Sequence, residues 1–324
     1  HTQPTRHPNH RPTAADRSTP SIMKSQITIR PLARVLPPNA YGIAVLDRVL
    51  RMALATSWPR RGVTVEQVDA QFAGSRICGE WVTSSAVDPH APPVLYIHGG
   101  AYSMCSPGTH RGLLGELASA SGRPIFAVKY RLAPRYPYPA AADDALNAYR
   151  WLAHRSSSSG GRDSVALAGD SAGGQLSMAT ALSARDEMLP VPDSLLLMSP
   201  VLDLSCKLAR AREVRRSDPF ASARSAARAL QLYVAGADPS DPRVSVLTAD
   251  LCGMPPTLIQ VGGREMLIDD SRTLGKYLRA DGSSVEIQVY RGQIHVFQAM
   301  FRVLPEAREA IECAGRFLKE AASK

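Results

Sequence analysis

No stretch of the 324-residue chain stays apolar for the roughly 20 residues that a membrane-spanning helix needs, so stable membrane insertion is not expected. The first 22 residues are rich in Pro, His, Arg and Thr and lack the apolar centre of a secretory signal. Met23 is the expected natural start, and residues 1–22 are set aside as a leader or tag. Cysteine is sparse: the five are an odd number, widely spread, with no Cys-x-x-Cys pair. That argues against a disulfide framework and against a zinc site, and it fits a reducing, cytoplasmic location. Aromatic residues make up 6% of the chain and no nucleic-acid motif accompanies its positive charge, so nucleic acid is not an expected partner. No repeat or low-complexity tract is present.

What the chain does have is a normal apolar share, 44%, and enough length for one large α/β domain. Its formal charge of +9 is uneven. Between Met23 and Gly62, Lys24, Arg30, Arg34, Arg48, Arg51, Arg60 and Arg61 face only Asp47. Between Lys207 and Arg228, seven basic residues face Glu213 and Asp218. Two readings stand side by side: a positive rim that attracts anionic esters or an acidic surface, or a solvated arginine-rich helix face.

Apolar spacing predicts a helical region over Leu32–Leu54, then a strand pair at Val63–Ala70 and Arg76–Thr83 turning at Ala73-Gly74. From Val94–Ile97 onward strands and helices alternate. Strands are expected at Pro124–Tyr130, Ser164–Ala168, Leu195–Met198, Thr257–Val261 and Val285–Tyr290. Helices are expected at Arg111–Ala120, Ala140–Ala153, Ser271–Ala280 and Glu306–Ala322. This order implies a mostly parallel sheet with helices on both faces. The Ala- and Arg-rich stretch 204–239 breaks the alternation and reads as an inserted helical cap, with residues 23–62 as N-terminal cap helices. The core is then 63–203 plus 240–324.

The chain centres on Gly169-Asp-Ser-Ala-Gly-Gly174, where an apolar strand runs into a tight Gly-x-Ser-x-Gly turn and a helix-compatible segment. That is the form of a nucleophile elbow, with Ser171 as nucleophile and the helix from Ala172 aiming its N-terminus at developing negative charge. Gly169 and Gly173 stand where a Cβ would crowd the backbone. A serine hydroxyl needs an adjacent base. Of eight histidines only His295 follows Ser171, in Gly292-Gln-Ile-His295. Glu265 comes first after the turn that ends Thr257–Val261, so it is the expected acid. Asp269 and Asp270 are rivals, read as caps of the helix that begins there, and Asp203 is a weaker rival. Backbone N–H groups of Gly99, Gly100 and Ala101, in His98-Gly-Gly-Ala-Tyr102, and of Ala172 are the candidates for an oxyanion hole.

Four motifs in order, His98-Gly-Gly-Ala101, Tyr130-Arg-Leu-Ala-Pro134 with Tyr138-Pro-Ala-Ala141, Gly169-Asp-Ser-Ala-Gly-Gly174 and Gly292-x-x-His295, resemble the hormone-sensitive-lipase-like (bacterial family IV) carboxylesterases. The resemblance covers roughly Val63 to the C-terminus. It implies an α/β-hydrolase fold with a helical cap and hydrolysis of short-to-medium acyl esters without a metal or organic cofactor. It also implies oxyanion donors at Gly100, Ala101 and Ala172, supporting roles for His98 and Asp170, and room for a homodimer. The chain departs from the pattern at Ala101, where a third glycine is common, at Arg135, where Glu usually stands and makes an ion pair, and at Glu265, where aspartate is commoner. Other readings of the same residues are an acyltransferase, deacetylase or lactonase, or a non-catalytic receptor on the same fold.

Overall fold

The computed structural model describes residues 47–48, 61–158 and 164–323. The proposed leader, nearly all of the N-terminal cap region and the Leu32–Leu54 helix therefore lie outside the described residues, save helical Asp47 and Arg48.

Eight strands form one sheet: β1 (Val63–Phe72), β2 (Ser75–Ser84), β3 (Val94–Ile97), β4 (Ile125–Val128), β5 (Ala166–Asp170), β6 (Leu195–Met198), β7 (Thr257–Gly262) and β8 (Val285–Tyr290). Their spatial order is β1-β2-β4-β3-β5-β6-β7-β8. Only β2 runs against its neighbours: it pairs antiparallel with both β1 and β4, and every pair from β4 to β8 is parallel. The helices are α1 (Pro107–Ser121), α2 (Ala140–Ser158), α3 (Ala172–Asp186), α4 (Lys207–Glu213), α5 (Ala223–Val234), α6 (Ile268–Ala280) and α7 (Pro305–Ala322). Among the described residues, no helix is long and apolar enough to cross a membrane.

The inner strands are apolar throughout because helices cover both faces, and alternate side chains feed two separate cores. Leu95, Ile97, Phe126, Leu167 and Leu197 point to one, shared with α2, α3 and α6. Val94, Tyr96, Ala127, Ala168 and Leu196 point to the other, filled by α1 and α7. Burial of each large apolar side chain contributes about 1.5–3 kcal/mol, which fixes strand register to the helices above and below. The stretch 204–239 does form helices, α4 and α5, between β6 and β7. Ala209, Ala223, Leu230 and Tyr233 join the first core, so this segment packs into the body of the fold and is not merely tethered to it.

Candidate active site

Ser171 sits between the last residue of β5 and the first of α3, at φ 51° and ψ −118°. A positive φ on a non-glycine residue is held strain, of order 1–3 kcal/mol, and the neighbours over-determine it. Ser171 N–H donates to the Met198 carbonyl at 2.9 Å, and its own carbonyl accepts from Val201 N–H at 3.1 Å. The two flanking glycines are sterically required. A Cβ on Gly169 would lie 2.3 Å from the Gly173 carbonyl oxygen, and one on Gly173 would lie 1.8 Å from that of Ile97.

His295, in the loop after β8, places Nε2 3.0 Å from Ser171 Oγ and Nδ1 2.9 Å from Glu265 Oε2. A carboxylate can only accept from Nδ1–H, which leaves Nε2 as the acceptor facing the Ser171 hydroxyl. Glu265 is fully buried, whereas the His295 side chain keeps 13% exposure. The second carboxylate oxygen, Oε1, accepts from Ser199 Oγ at 2.6 Å and from Gly262 N–H. Burial alone would lower the His295 pKa, but the bond and charge of Glu265, with Asp218 and Asp170 behind it, raise it above the ordinary value. Phe220, from the stretch between α4 and α5, packs its ring 5.2 Å from the imidazole.

The rival acids are committed elsewhere. Asp203 Oδ1 accepts from Ser205 N–H at 3.0 Å and Oδ2 from Leu208 N–H at 2.9 Å, at the head of α4. Asp269 pairs with Arg272 at 3.2 Å, and Asp270 Oδ2 accepts from the N–H groups of Leu202 and Asp203, both at 2.9 Å. The expectation that Asp269 and Asp270 cap their helix is corrected here. α6 starts at Ile268, so both lie inside its first turn, where they favour the helix dipole without capping. Asp270 instead ties α6 to the loop after β6, and burial pushes its carboxyl up to about 7.

The loop expected to carry the oxyanion donors follows β3. Gly100, Ala101 and Tyr102 take φ of 113°, 50° and 60°, turning the main chain toward the elbow. Gly99 is corrected as a donor, because its N–H already donates to Asp170 Oδ1 at 2.9 Å. Among the described residues, no acceptor takes the N–H of Gly100, Ala101 or Ala172. His98 Nδ1–H donates to the Gly99 carbonyl at 2.7 Å, its ring stacks on Tyr130 at 4.2 Å, and Tyr130 O–H returns a bond to the His98 carbonyl at 2.8 Å. Ala133 N–H donates to the Tyr102 carbonyl at 2.9 Å, so the Tyr130–Pro134 stretch buttresses the whole loop. Arg135 is exposed and lies over the Tyr136 ring, 5.2 Å from its centroid.

Three partners were not visible in the sequence as site residues. His110 of α1 approaches Asp170 to 3.3 Å, Ser199 bonds Glu265, and Asp218 lies buried beside the acid's loop. Only Asp170, inside a recognised motif, gave a hint. Of the basic residues in 207–228, Arg212 turns inward, while Lys207, Arg210, Arg215, Arg216, Arg224 and Arg228 are exposed. Among the described residues, no group of three His, Cys, Asp or Glu side chains is arranged to hold a metal.

A strand–serine–helix elbow facing an imidazole and a buried carboxylate, beneath a glycine-bearing loop, defines a serine-hydrolase type of site on an α/β sheet. Residues 94–299 match the family described as the alpha/beta hydrolase fold. The chain belongs to that family and, within it, to the hormone-sensitive-lipase-like esterases. It is 33% identical over 301 residues to an esterase of Acinetobacter venetianus, spanning 92% of this chain and 94% of that protein. With an acetyl-hydrolase of Streptomyces hygroscopicus it shares 39% identity over 242 residues, 75% of this chain and 79% of that one. The crystal structure of an esterase from the bacterial hormone-sensitive lipase family superposes with a TM-score of 0.82 at 32% identity, covering 91% and 96% of the two chains.

Proposed function

We propose that this chain, a carboxylic-ester hydrolase by its family, cleaves short- to medium-chain acyl esters through a Ser171–His295–Glu265 relay. The observation that carries the reading is the pair of contacts at His295, 3.0 Å to Ser171 Oγ and 2.9 Å to Glu265 Oε2. His295 Nε2 removes the hydroxyl proton as Ser171 Oγ attacks the ester carbonyl carbon. The Glu265 carboxylate stabilises the imidazolium that results. Negative charge gathers on the former carbonyl oxygen, where the N–H groups of Gly100, Ala101 and Ala172 are proposed donors. The imidazolium then protonates the departing alcohol, and a water molecule activated by His295 releases the acid from the acyl-enzyme.

Support for a short acyl preference comes from relatives named acetyl-hydrolase and, in Pseudomonas putida, ethyl acetate hydrolase. Residues 204–239 are proposed to act as a cap over the substrate, since Tyr233 of α5 stacks on Tyr102 of the oxyanion loop at 3.8 Å and Phe220 meets His295. The test is hydrolysis of p-nitrophenyl esters from acetate to palmitate by the unaltered protein and by Ser171→Ala. Activity that peaks at short chains and vanishes in the variant supports the proposal. A folded protein inactive on every ester overturns it, and transfer to an added alcohol in preference to water would make it an acyltransferase.

A further inference from the structure

One peptide unit, joining Glu265 to Met266, is held at both ends by charged side chains of the 204–239 segment. Arg212 Nε–H donates to the Glu265 carbonyl at 2.7 Å. Asp218 Oδ2 accepts from the Met266 N–H, also at 2.7 Å. The grip extends on either side. Arg212 donates through Nη2 to the Gly263 carbonyl at 3.2 Å and lies 3.8 Å from Asp269, while Asp218 Oδ1 accepts from Phe220 N–H at 2.6 Å.

Both side chains are withdrawn from water, Asp218 to 1% exposure and that of Arg212 to 13%. Burying an ion costs several kcal/mol even after relaxation, so two buried charges are a poor way merely to keep a segment down. Apolar contacts at Leu230 and Tyr233 already do that. What a guanidinium and a carboxylate add is direction. A carbonyl and an N–H on opposite edges of one planar unit, each bonded to a fixed charge, leave that plane little freedom to rotate. The plane starts at the Cα that carries the Glu265 side chain.

We propose that Arg212 and Asp218 are positioning residues for the relay: together they fix the Glu265 main chain, and the Asp218 carboxylate sets a second negative charge beside His295. Activity then depends on the 204–239 segment being seated. The groups facing His295 are Glu265, Asp218, Asp170 and the Ser171 hydroxyl; those facing Asp218 are His295, Glu265 and the amides of Phe220, Ala221 and Met266. Asp218 acts in the same direction as Glu265 in raising the His295 pKa. Its own carboxyl is pushed up by burial, against the opposing amide bonds and His295.

The inference rests on the proposed roles of Glu265 and His295, which the kcat/KM pH profiles of the unaltered protein and Glu265→Gln test separately. Its own test compares Arg212→Met, Asp218→Asn, the double variant and the exposed control Arg216→Gln on p-nitrophenyl acetate, with thermal unfolding of each. Either single substitution is expected to lower kcat about 10- to 100-fold while KM stays within about twofold. The double variant should be no slower than the worse single, because both act on one peptide unit. Asp218→Asn should also move the acid limb of kcat/KM to lower pH, since His295 loses a stabilising charge. Arg216→Gln should match the unaltered protein. A rise in KM with unchanged kcat, or an acid limb that stays put in Asp218→Asn, overturns the proposal. If Asp218→Asn does not fold, Asp218→Glu keeps the charge at altered reach: a lower kcat with the acid limb in place upholds it, and an unchanged kcat sinks it.

Discussion

Ser199 Oγ donates to Glu265 Oε1 at 2.6 Å and accepts from Val296 N–H, one residue beyond His295, at 3.1 Å. A single buried hydroxyl, on a backbone at φ 48°, thus ties the acid's loop to the histidine's loop. Ser199→Ala removes a bond to a charged group worth about 1.5–3 kcal/mol. The expected result is a lower melting temperature and a kcat reduced about tenfold, with KM little changed. Steady-state kinetics beside a thermal melt will check both; an unchanged kcat would show that Glu265 holds His295 without help.

On the proposed relay, the pH dependence of hydrolysis follows from His295. Only neutral imidazole can accept the Ser171 proton, and Glu265 heads the causes that raise its pKa above 6.5, against the effect of burial. Activity should therefore fall as pH drops through a value above 6.5. Glu265→Gln removes the leading raising cause, so its acid limb should move to lower pH even as kcat falls. Profiles of kcat/KM on one ester for both proteins decide the matter. A limb at or below 6.5 in the unaltered enzyme contradicts it.

Two glycine-to-alanine changes should act in opposite directions. At Gly173 the new methyl would meet the Ile97 carbonyl oxygen at 1.8 Å, backbone against backbone, and neither can give way. A loss above about 4 kcal/mol, seen as insoluble expression, is expected. Gly108 in the first turn of α1 is exposed, and its added Cβ would find nothing nearer than Ser106 Oγ at 3.5 Å. Gly108→Ala should stabilise by about 0.5–1 kcal/mol, measurable by chemical denaturation.

Much of this architecture was legible in the sequence because it is local. The elbow and the strand runs are written in short motifs, and all eight strands were expected near their observed places. Helix starts were less legible: α6 begins at Ile268, three residues before the expected Ser271, because Asp269 and Asp270 look like caps when their partners are unseen. Asp270 bonds amides 67 and 68 positions away. Gly99 misled for the same reason, since its N–H is spent on Asp170, 71 residues on. Contacts made across the sheet leave no spacing to read, which is why Ser199, His110, Arg212 and Asp218 emerged only from the fold.

The buried pair of Asp170 and His110 gives a stability prediction whose sign can be worked out. The oxygen Oδ1 of Asp170 lies 3.3 Å from His110 Nε2 and also accepts from Tyr96 O–H at 2.7 Å and Gly99 N–H at 2.9 Å. Burial would raise the Asp170 pKa, but His110, Tyr96 and Gly99 overcome it and bring it down to about 2. For His110, burial works downward and the Asp170 charge, with the Ser106 carbonyl, carries the value above 6.5. A lowered carboxyl contributes stability above its unfolded pKa, about 3.9, and loses it as pH falls toward 2. A raised imidazole contributes fully below its unfolded value, about 6.5, and loses it as pH climbs through the folded value. Both contributions coexist between those limits. His110→Gln keeps a polar side chain but cannot carry the charge, so its deficit in melting temperature should be greatest near pH 5–6 and should shrink as the solution becomes alkaline. Melting curves for the two proteins across that range provide the measurement. A deficit that stays constant with pH would mean that His110 serves by hydrogen bonding and shape alone, with no proton held between it and Asp170.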